Sequence, residues 1–282
     1  MKFIKIKSYA KINISLNIIK KLSSNFHKIE SLITFINLYD LIFIKATKTK
    51  KHKVQFSGKY SHNINENNTV SKLLKILDKK NFLKGKKFYI KIYKNIPQKS
   101  GMGGGSINAA TVLNFFIKKK FVDLNQNKIK NIINLVGKDA ILGLEIKNTI
   151  LSSNGNLTKT KKKLGFYVLV TKPNFGCSTK YVYSKVRSFS KEKYKNAKIS
   201  LLDRSNIIHS NNDLEKVAFK KYPKLENLKS FLSEIKNVIF VRMTGSGSSI
   251  VAYFLSKKAA VNGARVFKRK FKNYWYIVSK TI

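Results

Sequence analysis

The stretch that most constrains this chain is Pro97-Gln98-Lys99-Ser100-Gly101-Met102-Gly103-Gly104-Gly105-Ser106-Ile107. Ahead of it, Phe88-Tyr89-Ile90-Lys91-Ile92-Tyr93 is aromatic and β-branched, the composition of a strand. Behind it, Ile107, Ala110, Leu113 and Ile117 recur at helical spacing to about residue 118. A strand, a glycine-rich turn and a helix in that order make an anion site. Glycine lets the backbone turn tightly and come close to a ligand. The helix start points unpaired N–H groups and a positive dipole end back at the loop. No Gly-Lys-Ser/Thr closes the stretch as in a Walker A loop, and the dinucleotide Gly-x-Gly-x-x-Gly spacing is missing. Protein-kinase signatures such as His-Arg-Asp are also absent.

The chain has 282 residues, enough for one large domain or two moderate ones. No apolar run approaches the roughly 20 residues of a membrane span. Met1-Lys2-Phe3-Ile4-Lys5 alternates like a strand and has no signal-peptide character, so a cytoplasmic protein is expected. The lone Cys177 excludes an internal disulfide framework and a multi-cysteine metal site. Lys and Arg number 58 against 13 Asp and Glu, a formal charge of +45. The arginines are only Arg187, Arg204, Arg242, Arg265 and Arg269, whereas base-reading surfaces favour Arg. Lys instead runs through almost every segment beside Asn and Ile. That is the pattern of a compositional bias, so no specific nucleic-acid partner is expected. The positive surface still favours anionic substrates.

Residues 3–7 suggest a first strand. Ile12, Ile14, Leu16 and Ile18 then alternate with Asn13, Ser15 and Asn17, the pattern of a half-buried strand with Lys11 and Asn13 on its polar face. Phe26 and His27 follow a polar turn, and His27 alone would read as a surface or capping residue. Residues 31–47 read as one or two strands with Asp40 at a turn. Val70, Leu73, Leu74 and Leu77 form a helical stripe that Asn68 or Thr69 would cap. Ile129, Ile132, Ile133 and Val136 repeat the stripe and deliver Gly137-Lys138-Asp139. By itself Asp139 would be a turn residue. The polar, Lys-rich run 150–163 is the expected hinge. Beyond it, Phe166–Val170 reads as a strand, and Thr179 and Tyr183 as either a helix cap and a core aromatic or a pair of ligand contacts. Asn212-Asp213-Leu214-Glu215 opens a helix. Arg242-Met243-Thr244-Gly245-Ser246-Gly247-Ser248-Ser249 joins two strands as a glycine hairpin, and a helix near 257–270 and a strand near 274–278 close the chain.

Pro-x-x-x-Gly-Met-Gly-Gly-Gly-Ser-x-Asn-Ala-Ala at 97–110 resembles the phosphate loop of the GHMP kinases, a superfamily of small-molecule kinases. The triple glycine with Ser-x-Asn-Ala-Ala looks most like the branch acting on 4-diphosphocytidyl-2-C-methyl-D-erythritol in the non-mevalonate isoprenoid pathway. Ala10-Lys11-Ile12-Asn13 is similar to that branch's Ala-Lys-x-Asn, and Asn25-Phe26-His27 to its Gly-Tyr-His. Gly137-Lys138-Asp139-Ala140-Ile141 resembles Gly-Ala-Asp-Val-Pro, keeping the glycine and the aspartate. The Arg242–Ser249 hairpin comes in its expected place.

The resemblance implies an α+β, two-domain GHMP kinase fold with the active site in the interdomain cleft, divided as 1–155 and 156–282. It implies ATP as phosphoryl donor, with Mg²⁺ on the phosphate oxygens, Ser106 nearby and no dedicated metal-ligand set. Lys11 and Asp139 would be catalytic, and the loop from Pro97 to Ile107 would hold the triphosphate, with Asn68 near the adenine. Asn13, Phe26, His27, Thr179 and Tyr183 would bind the cytidine substrate, with Phe26 and Tyr183 on the two faces of the cytosine and His27 on its polar edge. A monomer or homodimer is expected. Two rival readings remain open: a homoserine or mevalonate type of GHMP kinase, which should lack the cytosine set, and a basic RNA-binding protein.

Overall fold

The computed structural model describes residues 2–22 and 26–282. Contacts divide the chain into two units, neither continuous in sequence. One comprises Met1–Ala10, Leu38–Gln98 and Gly103–Ile146; the other comprises Lys11–Asn37, Lys99–Met102 and Lys147–Ile282.

The first unit is built on strand β3 (His27–Thr47), whose later half pairs antiparallel with β5 (Lys87–Tyr93), from Leu41 opposite Tyr93 to Thr47 opposite Lys87. β4 (Lys53–Ser57) runs parallel to β5, and β1 (Ile4–Asn13) also pairs with β3. Phe88, Ile90 and Ile92 alternate along β5 and are fully buried, as the period-2 pattern requires. They meet the stripes of α1 (Thr69–Lys79), α2 (Gly104–Lys118) and α3 (Gln126–Val136) in one core. On the other side of β5, the ammonium groups of Lys45, Lys53 and Lys91 lie over the Tyr89 ring.

The run 31–47 is therefore not broken at Asp40, as its sequence suggested. Asp40 sits inside one continuous strand and is fully buried, its carboxylate occupied by neighbouring donors rather than by solvent at a turn.

In the second unit the first half of β3 pairs with β2 (Asn17–Lys21) and with β6 (Asn148–Leu151), and β6 forms a hairpin with β7 (Leu157–Thr160). The polar run expected to be a hinge thus holds the end of β6, the turn of the hairpin and the whole of β7. A second sheet has the order β11 (Trp275–Lys280), β8 (Tyr167–Lys172), β10 (Ile250–Phe254), β9 (Phe240–Met243), antiparallel throughout. It shares a core with α4 (Thr179–Ser184), α6 (Leu214–Lys221), α7 (Pro223–Ser233) and α8 (Lys257–Lys270), through residues such as Leu169, Leu228, Phe254 and Phe267. The five-residue α5 (Arg204–Ile208) lies between α4 and α6 in the chain. No helix among the described residues is long and apolar enough to cross a membrane.

Candidate active site

The glycine stretch lies between β5 and α2, the strand–turn–helix order its sequence predicts. Gly101 (φ +75°) and Gly103 (φ +69°) are left-handed, which explains why these two positions are glycine. Gly103 is the N-cap of α2 and offers no side chain, so the first-turn amides have no side-chain cap. Those amides are the groups an anion would satisfy. Around them, the Thr69 hydroxyl donates to the Gly105 carbonyl at 2.6 Å, and Gln98 Nε2 donates to the carbonyls of Tyr60 and His62. The Ser100, Met102 and Ile107 side chains are buried, which leaves their backbone as the part a ligand would meet.

Asp139 stands in the first turn of a 3-10 helix, Lys138–Leu144, directly after α3. Two glycines let this helix lie on α2. A Cβ at Gly143 would come within 2.8 Å of the Ala110 Cβ, and one at Gly137 within 2.9 Å of the Ser106 hydroxyl. The Ser106 side chain and the Asp139 segment are therefore neighbours. Beside them, partial burial lowers the pKa of Lys138 from its ordinary value.

The second unit gathers the other motifs. Lys11 and Asn13, on the polar side of the strand pattern, are only 4% and 5% exposed. Burial is tolerable because both side chains find polar partners. Lys11 Nζ donates to Asn13 Oδ1 at 2.6 Å, and Asn13 Nδ2 donates to the Ser31 hydroxyl at 2.8 Å. The Thr244 hydroxyl accepts from the Asn13 amide and donates to the Gly101 carbonyl, while the Lys11 amide donates to the Met102 carbonyl. The Ala-Lys-x-Asn strand, the middle of the glycine loop and the Arg242–Ser249 hairpin are so brought together. The hairpin is itself braced by Asn212, whose amide donates to the Met243 and Gly245 carbonyls, and by Glu215, which accepts from the Met243 amide. The sequence offered these two only as helix-opening residues.

The His27 and Tyr183 rings lie 5.4 Å apart at 48°, across 156 residues of chain. Phe26 is 52% exposed, and Asn25, compared above with a glycine, falls outside the described residues. Thr179 is not the cap of α4; Ser178 is, and the Thr179 hydroxyl shares a 2.8 Å hydrogen bond with Ser246. Asn68 caps α1 by accepting from the Ser71 amide at 2.9 Å, an arrangement that contributes about 1 kcal/mol to a helix. Sequence reasoning missed Thr69 as a tie to the loop, and nothing local to it could have shown that contact.

Models of two families match: the GHMP kinases N-terminal domain over residues 68–145 and the GHMP kinases C-terminal domain over 196–273. A 4-diphosphocytidyl-2-C-methyl-D-erythritol kinase of Pelagibacter ubique is 56% identical over the whole of both chains. Among solved structures, a 4-(cytidine 5'-diphospho)-2C-methyl-D-erythritol kinase superposes with a TM-score of 0.79 at 21% identity, covering 98% of this chain and 99% of that one. The homoserine kinase of Cytophaga hutchinsonii gives 0.72 at 17%, covering 100% and 95%. These two superpositions bear on the fold, whereas the full-length identity decides membership. The chain belongs to the 4-diphosphocytidyl-2-C-methyl-D-erythritol kinase family of the GHMP kinases.

Proposed function

We propose that this chain transfers the γ-phosphoryl group of ATP to the 2-hydroxyl of 4-diphosphocytidyl-2-C-methyl-D-erythritol. The observation that carries the reading is the 56% identity, end to end, with a kinase named for that substrate. In the step itself, the substrate hydroxyl oxygen forms a bond to the γ-phosphorus as the bond to the ADP oxygen breaks. Asp139 accepts the hydroxyl proton, and the Lys11 ammonium favours the developing alkoxide. The uncapped amides at the start of α2 and the left-handed turns at Gly101 and Gly103 support the loop as the triphosphate cradle, with Asn68 bordering the nucleotide.

Among the described residues no three His, Cys, Asp or Glu side chains are grouped so that they could hold a metal ion. The Ser106 hydroxyl, beside the Gly137 backbone that leads into the turn carrying Asp139, is an oxygen donor that suits Mg²⁺ held chiefly by phosphate oxygens. Bound there, Mg²⁺ would neutralise phosphate charge.

Substrate choice is proposed to rest on His27, Phe26 and Tyr183, with Asn13 and Thr179 as further contacts. The ring contact between His27 and Tyr183 supports that grouping. A site that hydrogen-bonds a polar edge discriminates far more than one that only stacks. His27→Ala is therefore expected to raise KM for the cytidine substrate by about tenfold or more while leaving KM for ATP unchanged. Steady-state kinetics with each substrate varied in turn checks this, and equal losses for both would contradict the assignment.

The charge of +45 gives a separate expectation. Nucleic-acid affinity of this chain should be blind to sequence and should collapse between low and physiological salt. Filter binding with several unrelated RNAs across a salt series tests it, and tight binding of one RNA at physiological salt would favour the RNA-binding reading.

A further inference from the structure

We propose that Asp40 is a positioning residue for the glycine loop, holding its strand side and its helix side with one carboxylate. Asp40 is fully buried in the middle of β3. Its Oδ1 accepts from the Asn95 amide at 2.8 Å and the Ile96 amide at 2.9 Å, the two residues that lead into Pro97. Its Oδ2 accepts from Asn108 Nδ2 at 3.0 Å, in α2 beyond the loop, and forms an ion pair with Lys94, itself 4% exposed. The span from Pro97 to Ile107 thus has both flanks fixed to the same side chain.

Two details argue that this arrangement does more than fill a core. Lys94 Nζ lies close under the first residue of α2, since a Cβ at Gly104 would come 3.4 Å from it. Asp40 therefore also fixes a cation next to the uncapped helix start. And Asn108 Oδ1 is buried without a hydrogen-bond partner among the described residues, so the amide has no second anchor there. Its orientation is set through Asp40. A buried carboxylate with this many donors is not interchangeable with a neutral group of the same shape. Asparagine would turn an NH₂ toward two donors and leave Lys94 without its counter-charge.

The inference rests on the reading of the loop as the ATP phosphate cradle. Its test is Asp40→Asn, with KM for ATP and for the alcohol measured separately. A displaced loop should raise KM for ATP by about tenfold or more, with KM for the alcohol within about twofold of wild type. The exchanged pair Asp40→Asn/Asn108→Asp restores an acceptor opposite a donor and should recover most of the ATP affinity. Should Asp40→Asn fail to fold, Asn108→Ala keeps the Lys94 pair and both backbone bonds, and it should raise KM for ATP by about threefold or more, selectively. A brace with only a structural role would lower the melting temperature and leave the ratio of the two KM values unchanged, which would overturn the proposal. A wild-type protein that does not saturate with ATP would overturn the reading of the loop. One that does, beside a folded Asp40→Asn with unaltered ATP kinetics, overturns the positioning role alone.

Discussion

Asp139→Asn is expected to lower kcat by roughly 10² or more, with KM for ATP changing far less, because general-base assistance contributes on that scale. The substitution preserves the shape of a side chain in the first turn of the 3-10 helix and removes only the carboxylate that would take the hydroxyl proton. Lys11→Met is expected to do the same for a different reason. It keeps a buried apolar stem of similar length but removes the ammonium, and with it the 2.6 Å bond to Asn13 Oδ1. If Lys11 and Asp139 serve one proton transfer, each single variant has already disabled the unit. The double variant should then be little worse than the poorer single one. Rapid-quench or steady-state measurement of kcat for all three variants checks both expectations. Full additivity of the two losses would separate the residues into independent roles. Near-normal kcat in Asp139→Asn would remove it as the base.

The second large effect is expected at Gly101. An alanine there needs φ +75°, and its Cβ would lie 2.2 Å from the Thr244 carbonyl oxygen and 3.2 Å from that of Gly247. Both obstacles are backbone, so no side chain can swing aside. The left-handed conformation alone disfavours alanine by about 1–2 kcal/mol. The collision must also displace the loop, and with it the Thr244 hydrogen bond to Gly101 and the Lys11 contact with Met102. A misplacement of about 1 Å can reduce a rate by roughly 10²-fold, and a loss of that order in kcat/KM for ATP is expected for Gly101→Ala. Gly85→Ala is the control. Its φ is +76°, nearly the same strain, but nothing lies within 4 Å of the added Cβ. It should lose a little thermal stability and no activity. Equal kinetics for the two variants would show that close approach of the loop to the hairpin does not matter.

What the sequence revealed, and what it hid, follows the range of the interactions. The helical stripes of α1 and α3 and the strand–turn–helix frame of the glycine loop are local patterns, and the structure has them at nearly the expected residues. Polar residues were hardest to place where their partners lie far along the chain. Periodicity put Lys11 and Asn13 on a polar face but could not foresee their burial, because Ser31 and Thr244, which bond Asn13, are invisible to it. Asp40 read as a turn because a lone acid in a strand is usually solvated, whereas its donors stand 54 to 68 residues away. Asn212 and Glu215 looked like helix openers because Met243, which both contact, comes about thirty residues later. The proposed cytosine contacts of Phe26, His27 and Tyr183 came from family resemblance alone, since no spacing rule joins Tyr183 to residues that distant. The glycines at 137 and 143 carried a signal that was there to be used: small residues after a helix mark a close approach, here onto α2.

The most direct measurement of the central claim is product identification after incubating the protein with Mg·ATP and, separately, 4-diphosphocytidyl-2-C-methyl-D-erythritol, homoserine and mevalonate. Phosphorus NMR and mass spectrometry should find one equivalent of ADP and a new phosphate monoester on the 2-hydroxyl of the cytidine compound, with no product from the other two alcohols. Phosphorylation of homoserine or mevalonate in its place, or ADP release with the cytidine compound unchanged, would contradict the account.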